Sequence, residues 1–387
     1  MSKPSHYDVA IVGAGIVGLA HAWEAHRRGL RTVVVDATAG VHGASVRNFG
    51  HACITPQTGA AAVFAAEART RWLDLAARAG FTARQTGTVV VARRPEELAV
   101  LEEHDAQHGR TQLLTAAETT DRVPVAPGEV VGGAFLPADL QVDPRTAAPA
   151  IARHLAEQGV DFRWRTTATG ATSGMLATTR GDITAPVIVV ATNHDLDRLF
   201  PAVAERVHLL RCRLHMLRAT PVLRAPLTVP LLTGWSLLRY SGFAEQPSAA
   251  ALRDRLTADL PEGIELDLNQ MVTQHADGSL ILGDTHERAV DAVPFQSERG
   301  FDLVVRETKR LFGVREVPVV ERWQGVYASS PDREFVIEQP EPGVHVVTVA
   351  SGIGMTTGLG IAPATFDGTA SDIVAGRTPT ETTQETR

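Results

Sequence analysis

The sequence predicts an α/β protein with two interleaved domains, and three observations carry this prediction. Residues 7–36 follow the order strand, glycine turn, helix and strand, which is typical of a βαβ unit. Residues 186–193 form an apolar run that suits a buried strand of the same parallel sheet. Between these segments and again over residues 206–320, the pattern favours a mixed sheet with helices. The chain therefore leaves the first domain and returns to it.

The first unit carries three glycines with the spacing G-x-G-x-x-G. Gly13 permits a tight turn, Gly15 permits a close backbone approach to a pyrophosphate, and Gly18 permits the helix to lie close to the sheet. Asp36 ends the second strand, where a carboxylate accepts hydrogen bonds from a ribose. The unit predicts a Rossmann-type dinucleotide site, with NAD and FAD both open. Its predicted contacts are Gly13, Ala14, Gly15, Ile16, Val17, Gly18, Asp36 and Ala37.

Composition excludes several classes of protein. The chain has 387 residues, of which 44% are apolar and 21% charged, so it can bury a full core. A net charge of −7 argues against nucleic-acid binding. The chain has 35 arginines and only two lysines, so cationic roles in a site fall to arginine or histidine. Two cysteines form no disulfide framework or zinc set, and we expect a cytoplasmic protein without a bound metal, a signal peptide or a membrane span.

The remaining pattern predicts individual elements. Helices are expected over residues 58–79, 96–107, 146–158, 248–259 and 298–312, strands over 87–92 and 344–349, and a hairpin over 271–283. We place a discontinuous nucleotide-binding domain at 1–50, 145–205 and 325–376, a substrate-binding domain at 51–144 and 206–324, and a disordered tail at 377–387.

Two further glycine-rich segments, residues 43–50 and 352–360, argue for a larger cofactor than NAD. The first contains Arg47 and Asn48 and replaces the βα unit that a NAD dehydrogenase would have at this point. The second follows a buried strand and precedes a helix, so its N–H groups suit an anion.

Together with Val189–Thr192, the three glycine-rich segments resemble the FAD-dependent amine and amino-acid oxidase family, which includes D-amino-acid oxidase, glycine oxidase and monomeric sarcosine oxidase. The resemblance covers Tyr7 to Gly376. It implies an FAD-binding domain of the glutathione-reductase type, interleaved with a mixed-sheet α+β substrate domain.

The resemblance also implies the FAD contacts outside the first unit. In the family, the matching positions lie along the pyrophosphate and flavin, touch the adenine, or direct N–H groups at the flavin pyrimidine oxygen. These residues are Gly43, Ala44, Ser45, Arg47, Asn48, Phe49, Gly50, Ala168, Ala191, Thr192, Gly325, Gly352, Ile353, Gly354, Met355 and Thr356. In sarcosine oxidase a cysteine bonded to the flavin matches Gly325, so we expect non-covalent FAD.

Three departures from the family bear on the substrate and the electron acceptor. An arginine of glycine oxidase matches Tyr327, and a lysine of sarcosine oxidase matches Thr356; both cations hold a substrate carboxylate. A lysine of sarcosine oxidase that is thought to activate oxygen matches Ile281. The acceptor is therefore expected to be O2 or another oxidant, and the substrate to differ from an ordinary α-amino acid.

The segment Ser45–Gly50 is most similar to a branch of the family associated with aminophosphonate breakdown. The resemblance implies oxidation of a small primary or secondary amine to an imine, which hydrolyses to an aldehyde or keto acid. The best candidate is an anionic amine, 2-aminoethylphosphonate or its N-methyl derivative.

The candidate catalytic residues are placement residues, because the cofactor supplies the chemistry. They are Tyr327, His51, Met355 and Thr356, with Arg213 or Arg239 for the anionic end of the substrate. Arg211, Arg213 and His215 alternate along one predicted strand and should share a face. Each candidate also has a purely structural interpretation. Tyr327 could be a packed tyrosine, His51 and His215 hydrogen-bonded histidines, and Arg211 and Arg213 arginines on a solvated strand face.

Alternative functions remain open at this point. A sarcosine, glycine or D-amino-acid oxidase is one. A flavoprotein whose FAD is structural is another, although the acidic charge and the intact segment 352–360 count against an interaction module. A NAD-dependent dehydrogenase would leave both later glycine segments unexplained. Both a monomer and a homodimer are compatible with the sequence.

Overall fold

The computed structural model describes residues 5–377, so the tail expected at 377–387 lies, apart from its first residue, outside the described residues. The strands are β1 (Ser5–His6), β2 (Val9–Val12), β3 (Thr32–Val35), β4 (His51–Ala52), β5 (Ala83–Arg84), β6 (Thr88–Ala92), β7 (Gln112–Thr115), β8 (Gly132–Leu136), β9 (Leu140–Val142), β10 (Asp161–Arg163), β11 (Ala168–Thr172), β12 (Met175–Thr178), β13 (Ile183–Thr184), β14 (Val187–Val190), β15 (Leu210–Ala219), β16 (Leu231–Thr233), β17 (Met271–Gln274), β18 (Leu280–Gly283), β19 (His286–Ala289), β20 (Val319–Ser329), β21 (Phe335–Glu341) and β22 (Val344–Val349). The α-helices are α1 (Ile16–Arg27), α2 (Gly59–Ala79), α3 (Pro95–His108), α4 (Ala116–Arg122), α5 (Pro144–Glu157), α6 (Pro201–Arg206), α7 (Gly234–Leu237), α8 (Ser241–Ala244), α9 (Ala249–Asp259), α10 (Pro261–Glu265), α11 (Glu298–Phe312), α12 (Gly354–Phe366) and α13 (Ala370–Val374).

A six-stranded sheet has the order β10-β3-β2-β14-β22-β21 and is parallel except for its last pair. Strands β2, β3 and β14 are short runs of Val, Ile, Ala and Thr, and most of their residues are fully buried. Such continuous apolar strands are typical of parallel sheets covered on both faces. The predicted α/β class and the return of the chain at residues 186–193 are confirmed.

The larger sheet is mixed and runs β19-β15-β18-β17-β16-β6-β8-β7, with β20 along the other side of β15. Its pairs are antiparallel except for β16 with β6. Strand β20 pairs with β15 from Val319 to Ser329, so the domain boundary expected at residue 325 falls inside this strand. Two small sheets, β1-β13-β12-β11 and β4-β9-β5, complete the topology.

Helix α12 packs against both α1 and α2 and joins the helical layer to the six-stranded sheet. The indole Nε1 of Trp72 donates to the carbonyl of Met355 at 2.8 Å. A Cβ on Gly360 would lie 2.0 Å from the carbonyl oxygen of Phe64, and one on Gly358 would lie 3.3 Å from Val17 Cγ2. The last glycines of the segment 352–360 therefore serve close helix packing.

Within residues 5–377, none of the helices combines the length and apolar character that a membrane span requires.

Candidate active site

A long cavity lies at the carboxyl ends of the parallel strands. Its walls come from the turns that follow β2, β3, β14 and β22, and from the near face of the larger sheet. In open parallel sheets, ligands bind at this end of the strands. The lining extends from the turn after β2 to Arg239 and Asn269 of the larger domain, so an extended cofactor and a substrate can lie in the cavity side by side.

The first glycine turn is closed by backbone contacts. Gly13 adopts φ +101°, and a Cβ at this position would lie 2.6 Å from the carbonyl oxygen of Ala191. A Cβ on Gly18 would lie 1.8 Å from the carbonyl oxygen of Gly13. Gly18 therefore fixes the turn to helix α1 and is not one of the cavity-lining residues in the described chain. We correct its predicted cofactor contact to a packing role.

Asp36 is held at the cavity wall by the protein itself. Its Oδ2 accepts from the amide of Ala14 at 2.7 Å, and its Oδ1 accepts from the amide of Thr38 at 2.8 Å. A carboxylate has further lone pairs, so the side chain can still accept from a ligand hydroxyl. The two bonds fix its orientation in advance.

The second glycine segment, residues 43–50, is hydrogen-bonded to the start of helix α1, which follows the first glycine turn. Ser45 Oγ accepts from the amide of Ile16 at 2.8 Å, so one of the amides at the start of α1 is already taken by the protein. Asn48 bridges its own loop, donating to Ala44 O at 2.9 Å and accepting from Gly50 N at 2.7 Å. A Cβ on Gly50 would lie 1.8 Å from Val142 O, and Gly50 does not line the described cavity. Its role, too, is packing.

Arg239 is a half-buried cation at the other end of the cavity. Its Nη2 donates to the hydroxyl of Tyr327 at 2.7 Å and to the carbonyl of Ser351 at 3.3 Å. Burial alone would lower the pKa of Arg239, but the surrounding ionisable groups, with Tyr327 and Asp284 foremost, raise it overall. Gly352, at φ +82°, allows this contact, because its Cβ would lie 2.7 Å from Arg239 Nη2.

His51 lines the cavity, but its Nε2 has hydrogen-bond partners within the protein. This atom lies 2.6 Å from Thr88 Oγ1 and 3.1 Å from Asp139 Oδ2. Asp139 Oδ1 also accepts from the amides of Ile54 and Thr55. His51 and Asp139, with nearby Cys53, thus form a buried cluster in which the Asp139 oxygens are used for the fold, while His51 Nδ1 has no partner among the described residues.

Comparison with known proteins identifies the chain. A family model described as DAO, FAD dependent oxidoreductase, matches residues 8–367. The chain belongs to this family of FAD-dependent oxidoreductases. Among solved structures it is similar to glycine oxidase from Geobacillus kaustophilus, with 20% identity, coverage of 97% of this chain and 96% of that chain, and a TM-score of 0.75. A search of curated proteins gives no match.

Two other solved structures share the fold. L-proline dehydrogenase from P. horikoshii is 20% identical over 97% of this chain and 96% of that chain, with a TM-score of 0.75. L-α-glycerophosphate oxidase from Mycoplasma pneumoniae, which was solved with FAD bound, is 17% identical over 97% of each chain, with a TM-score of 0.72.

The cavity of this FAD-dependent oxidoreductase fits its cofactor. The glycine turn keeps its tight shape only without side chains at Gly13 and Gly18, Asp36 is already oriented, and the amino ends of α1 and α12 both border the cavity. All the cofactor contacts expected from the sequence, except Gly18 and Gly50, line it. Of the expected catalytic residues, the cavity brings together Tyr327, His51, Met355, Thr356 and Arg239.

Arg213 does not line this cavity, so the structure does not support its expected role as a substrate cation. It is buried on the face of β15 that packs against residues 287–295, where it binds the carboxylate of Glu287 and the carbonyls of Val293 and Phe295. Arg211 and His215 share that face, as predicted, and bind Asp197 and Thr285. Their partners, and not solvent, occupy the face.

Replacing Arg213 with methionine should leave the KM for substrate within about twofold, since the side chain does not border the cavity. The free energy of unfolding should fall by about 1–3 kcal/mol, because two carbonyls and a carboxylate lose their donor. Steady-state kinetics and urea unfolding measure the two effects. A tenfold rise in KM with unchanged stability would contradict this assignment.

Sequence reasoning missed several lining residues. Thr166 follows β10, and residues 193–199 follow β14; both segments could have been found from the rule that sites lie at the carboxyl ends of parallel strands. Asn269 and Asp284, which flank the hairpin of β17 and β18, carried no local signal. Burial raises the pKa of Asp284 to about 7, although Arg239 and a hydrogen bond from Asn269 act in the opposite direction.

Proposed function

We propose that this FAD-dependent oxidoreductase oxidises the C–N bond of a small amine that carries an anionic group, with 2-aminoethylphosphonate or its N-methyl derivative as the first candidates. The observation that carries the proposal is Arg239, a half-buried guanidinium on the wall of a cavity whose other end fits FAD. A charge largely removed from water needs a partner, and a substrate anion would supply one.

Arg239 supplies a cation that positions 327 and 356 lack. Tyr327 and Thr356 replace the arginine and lysine that the resemblance leads one to expect, and the guanidinium of Arg239 reaches the Tyr327 hydroxyl from a different part of the chain. A guanidinium presents a planar fork of donors that matches carboxylate and phosphonate oxygens. The Tyr327 hydroxyl, which accepts from Arg239, can donate its own proton to Cys212 or to a bound anion.

Bound FAD would accept the two electrons that the amine loses. The described chain contributes placement: Arg239 and Tyr327 hold the anionic end, while Phe49, Met271 and Met355 line the cavity with apolar surface that excludes water. Oxidation of the C–N bond gives an imine, which water then hydrolyses.

We also propose that the FAD is held without a covalent bond. Gly325 lines the cavity but carries no side chain to bond to a flavin. The two cysteines of the chain, Cys53 and Cys212, are buried, unpaired and not part of the cavity lining. Unpaired cysteines also support the proposed cytoplasmic location.

A carboxylate is the alternative anion, because a single arginine can bind it bidentately. Among solved structures with this fold, iminodiacetate oxidase from Chelativorans sp. BNC1 is 15% identical over 96% of each chain, with a TM-score of 0.73. Iminodiacetate is an amine that carries carboxylate groups. Sarcosine, glycine and D-alanine therefore belong in the same test.

The test is an anaerobic absorbance spectrum of the purified holoenzyme before and after each amine is added. The panel contains 2-aminoethylphosphonate, its N-methyl form, sarcosine, glycine and D-alanine. Bleaching of the flavin band by an aminophosphonate alone would support the proposal. Equal bleaching by sarcosine or glycine would refute the phosphonate assignment, and no bleaching by any amine would favour a structural FAD.

A further inference from the structure

Asp284, Asn269 and His286 form a buried cluster at the wall of the cavity. Asp284 lines the cavity and is 4% exposed. Its Oδ1 accepts from the side-chain amide of Asn269 at 3.0 Å, and the backbones of the two residues exchange hydrogen bonds of 2.7 and 2.8 Å. The carboxyl group is therefore fixed in place at the substrate end of the cavity.

His286 lies behind Asp284 with a defined tautomer. Its Nδ1 is 2.8 Å from the carbonyl oxygen of Asp267, and a carbonyl can only accept, so Nδ1 carries the hydrogen. In the neutral ring, Nε2 is then a bare acceptor. This atom is buried, has no hydrogen-bond partner among the described residues, and lies 3.6 Å from Asp284 Oδ2.

The arrangement suits a protonated Asp284 better than a bare one. At 3.6 Å, Oδ2 and Nε2 are not hydrogen-bonded, and a carboxylate oxygen facing the lone pair of Nε2 gains nothing. A proton on Oδ2 could be donated to Nε2 after a small approach of the two side chains, while Oδ1 keeps its bond from Asn269. The polar atoms of the cluster can thus all be paired only after one proton has been added. Such a group can receive a proton from the cavity and store it.

The charges around Asp284 keep its pKa near neutral pH. Arg239 favours the carboxylate, while burial opposes it, and the pKa of Asp284 settles at about 7. Burial also lowers the pKa of His286 to about 3, with Arg239 adding to the effect, so the ring stays neutral and does not compete for the proton. The other titratable or charged groups that act on the cluster are Asp267, Arg288, Cys212, Tyr240 and Tyr327.

We propose that Asp284 is the group that takes the proton from the substrate ammonium, with His286 as the positioning residue that receives the resulting O–H. The inference rests on the proposed amine oxidation. An aliphatic amine arrives protonated at neutral pH, and a protonated nitrogen has no lone pair to assist loss of the adjacent C–H. In the step, one N–H bond breaks and one O–H bond forms on Asp284, giving a neutral amine and a neutral carboxyl group without change of oxidation state.

The test follows anaerobic flavin reduction by stopped flow between pH 6 and pH 10, using whichever panel amine reduces the wild-type holoenzyme. In the wild type, the reduction rate constant should fall as the pH drops through about 7, since Asp284 then arrives already protonated. Asp284→Asn keeps the acceptor for Asn269 but cannot take a proton. Its rate constant at pH 7.5 should be lower than that of the wild type by roughly 10²-fold or more. The rate constant should recover at high pH, where the substrate ammonium loses its proton in solution before it binds.

Two further variants keep the result interpretable. Glu287→Gln makes the same carboxyl-to-amide change three residues along the chain, where the side chain is exposed and pairs with Arg213, and should keep the wild-type profile. His286→Phe keeps a ring but removes the acceptor, so the midpoint of the wild-type profile should move to lower pH. The FAD content of each variant shows whether the cavity has formed.

An Asp284→Asn enzyme that retains FAD and has the wild-type rate and profile would overturn the role of Asp284 and leave the proposed amine oxidation standing. A loss in this variant that does not recover at high pH would also overturn it, because it would indicate a defect in placement. Failure of every amine to reduce the wild-type flavin would instead overturn the proposed function, and this inference with it.

Discussion

Replacement of Arg239 by methionine is expected to lower kcat/KM for the anionic amine by roughly 10²–10³-fold, the loss typical of removing one partner of a buried charge pair. Methionine keeps most of the length of the side chain and removes only the donors and the charge. Oxidation of propylamine, which has no anionic group, should change little in the same variant when both amines are compared at pH 9, because loss of Arg239 also raises the pKa of Asp284 and would slow both amines near neutral pH. Stopped-flow reduction of the holoenzyme by both amines measures the difference.

Arg288 provides a matched control for this experiment. It borders a smaller cavity beside Arg239 but pairs with Asp267 at 2.6 Å and lies outside the lining of the large cavity. Arg288→Met should therefore leave the preference for the anionic amine unchanged. Equal losses in both variants, or equal losses for both amines in Arg239→Met, would show that Arg239 does not bind the substrate anion.

Substitution of Gly13 by alanine should give a protein that purifies without FAD. The new Cβ would lie 2.6 Å from the carbonyl oxygen of Ala191, and φ +101° costs an L-residue about 1–3 kcal/mol even without the clash. The turn must move, and the cradle for the pyrophosphate moves with it. Flavin absorbance per protein, measured after denaturation, reports the loss.

Gly40→Ala is the corresponding control, since a Cβ there would meet no atom within 4 Å and the residue lies outside the cavity lining. This variant should retain a full complement of FAD and an unchanged thermal midpoint. A Gly13→Ala protein with full FAD content would show that the turn tolerates a side chain and that its glycine is not required for the site.

The parts of the fold and site that could be predicted are those determined by residues close together in the sequence. The turn at Gly13 and the acid at Asp36 lie within one βαβ unit, where spacing alone determines their places. Helix α11 was expected at its observed bounds, because a strongly amphipathic stretch ends at Gly313. The role of glycines such as Gly50 was not predictable, since the atoms that exclude a side chain come from distant Val142.

The choice between Arg213 and Arg239 also depended on distant partners. An arginine on a predicted strand gives no sign of which segment will cover its face, and residues 287–295 cover that of Arg213. Asp284 becomes informative only when Asn269 and His286 surround it. Tertiary contacts decided these assignments, and such contacts between distant segments cannot be predicted from the pattern of a single sequence.

The order of strands in the six-stranded sheet also constrains biosynthesis. Strand β14 lies between β2 and β22, and all three must be present before the cavity has its walls. At ribosomal rates of about 5–20 residues per second, the stretch between β14 and the end of β22 takes roughly 10–30 s to emerge. During that time the first glycine turn exists without its opposite wall. Cofactor loading is therefore a late event, which can follow only once α12 has left the ribosome and docked.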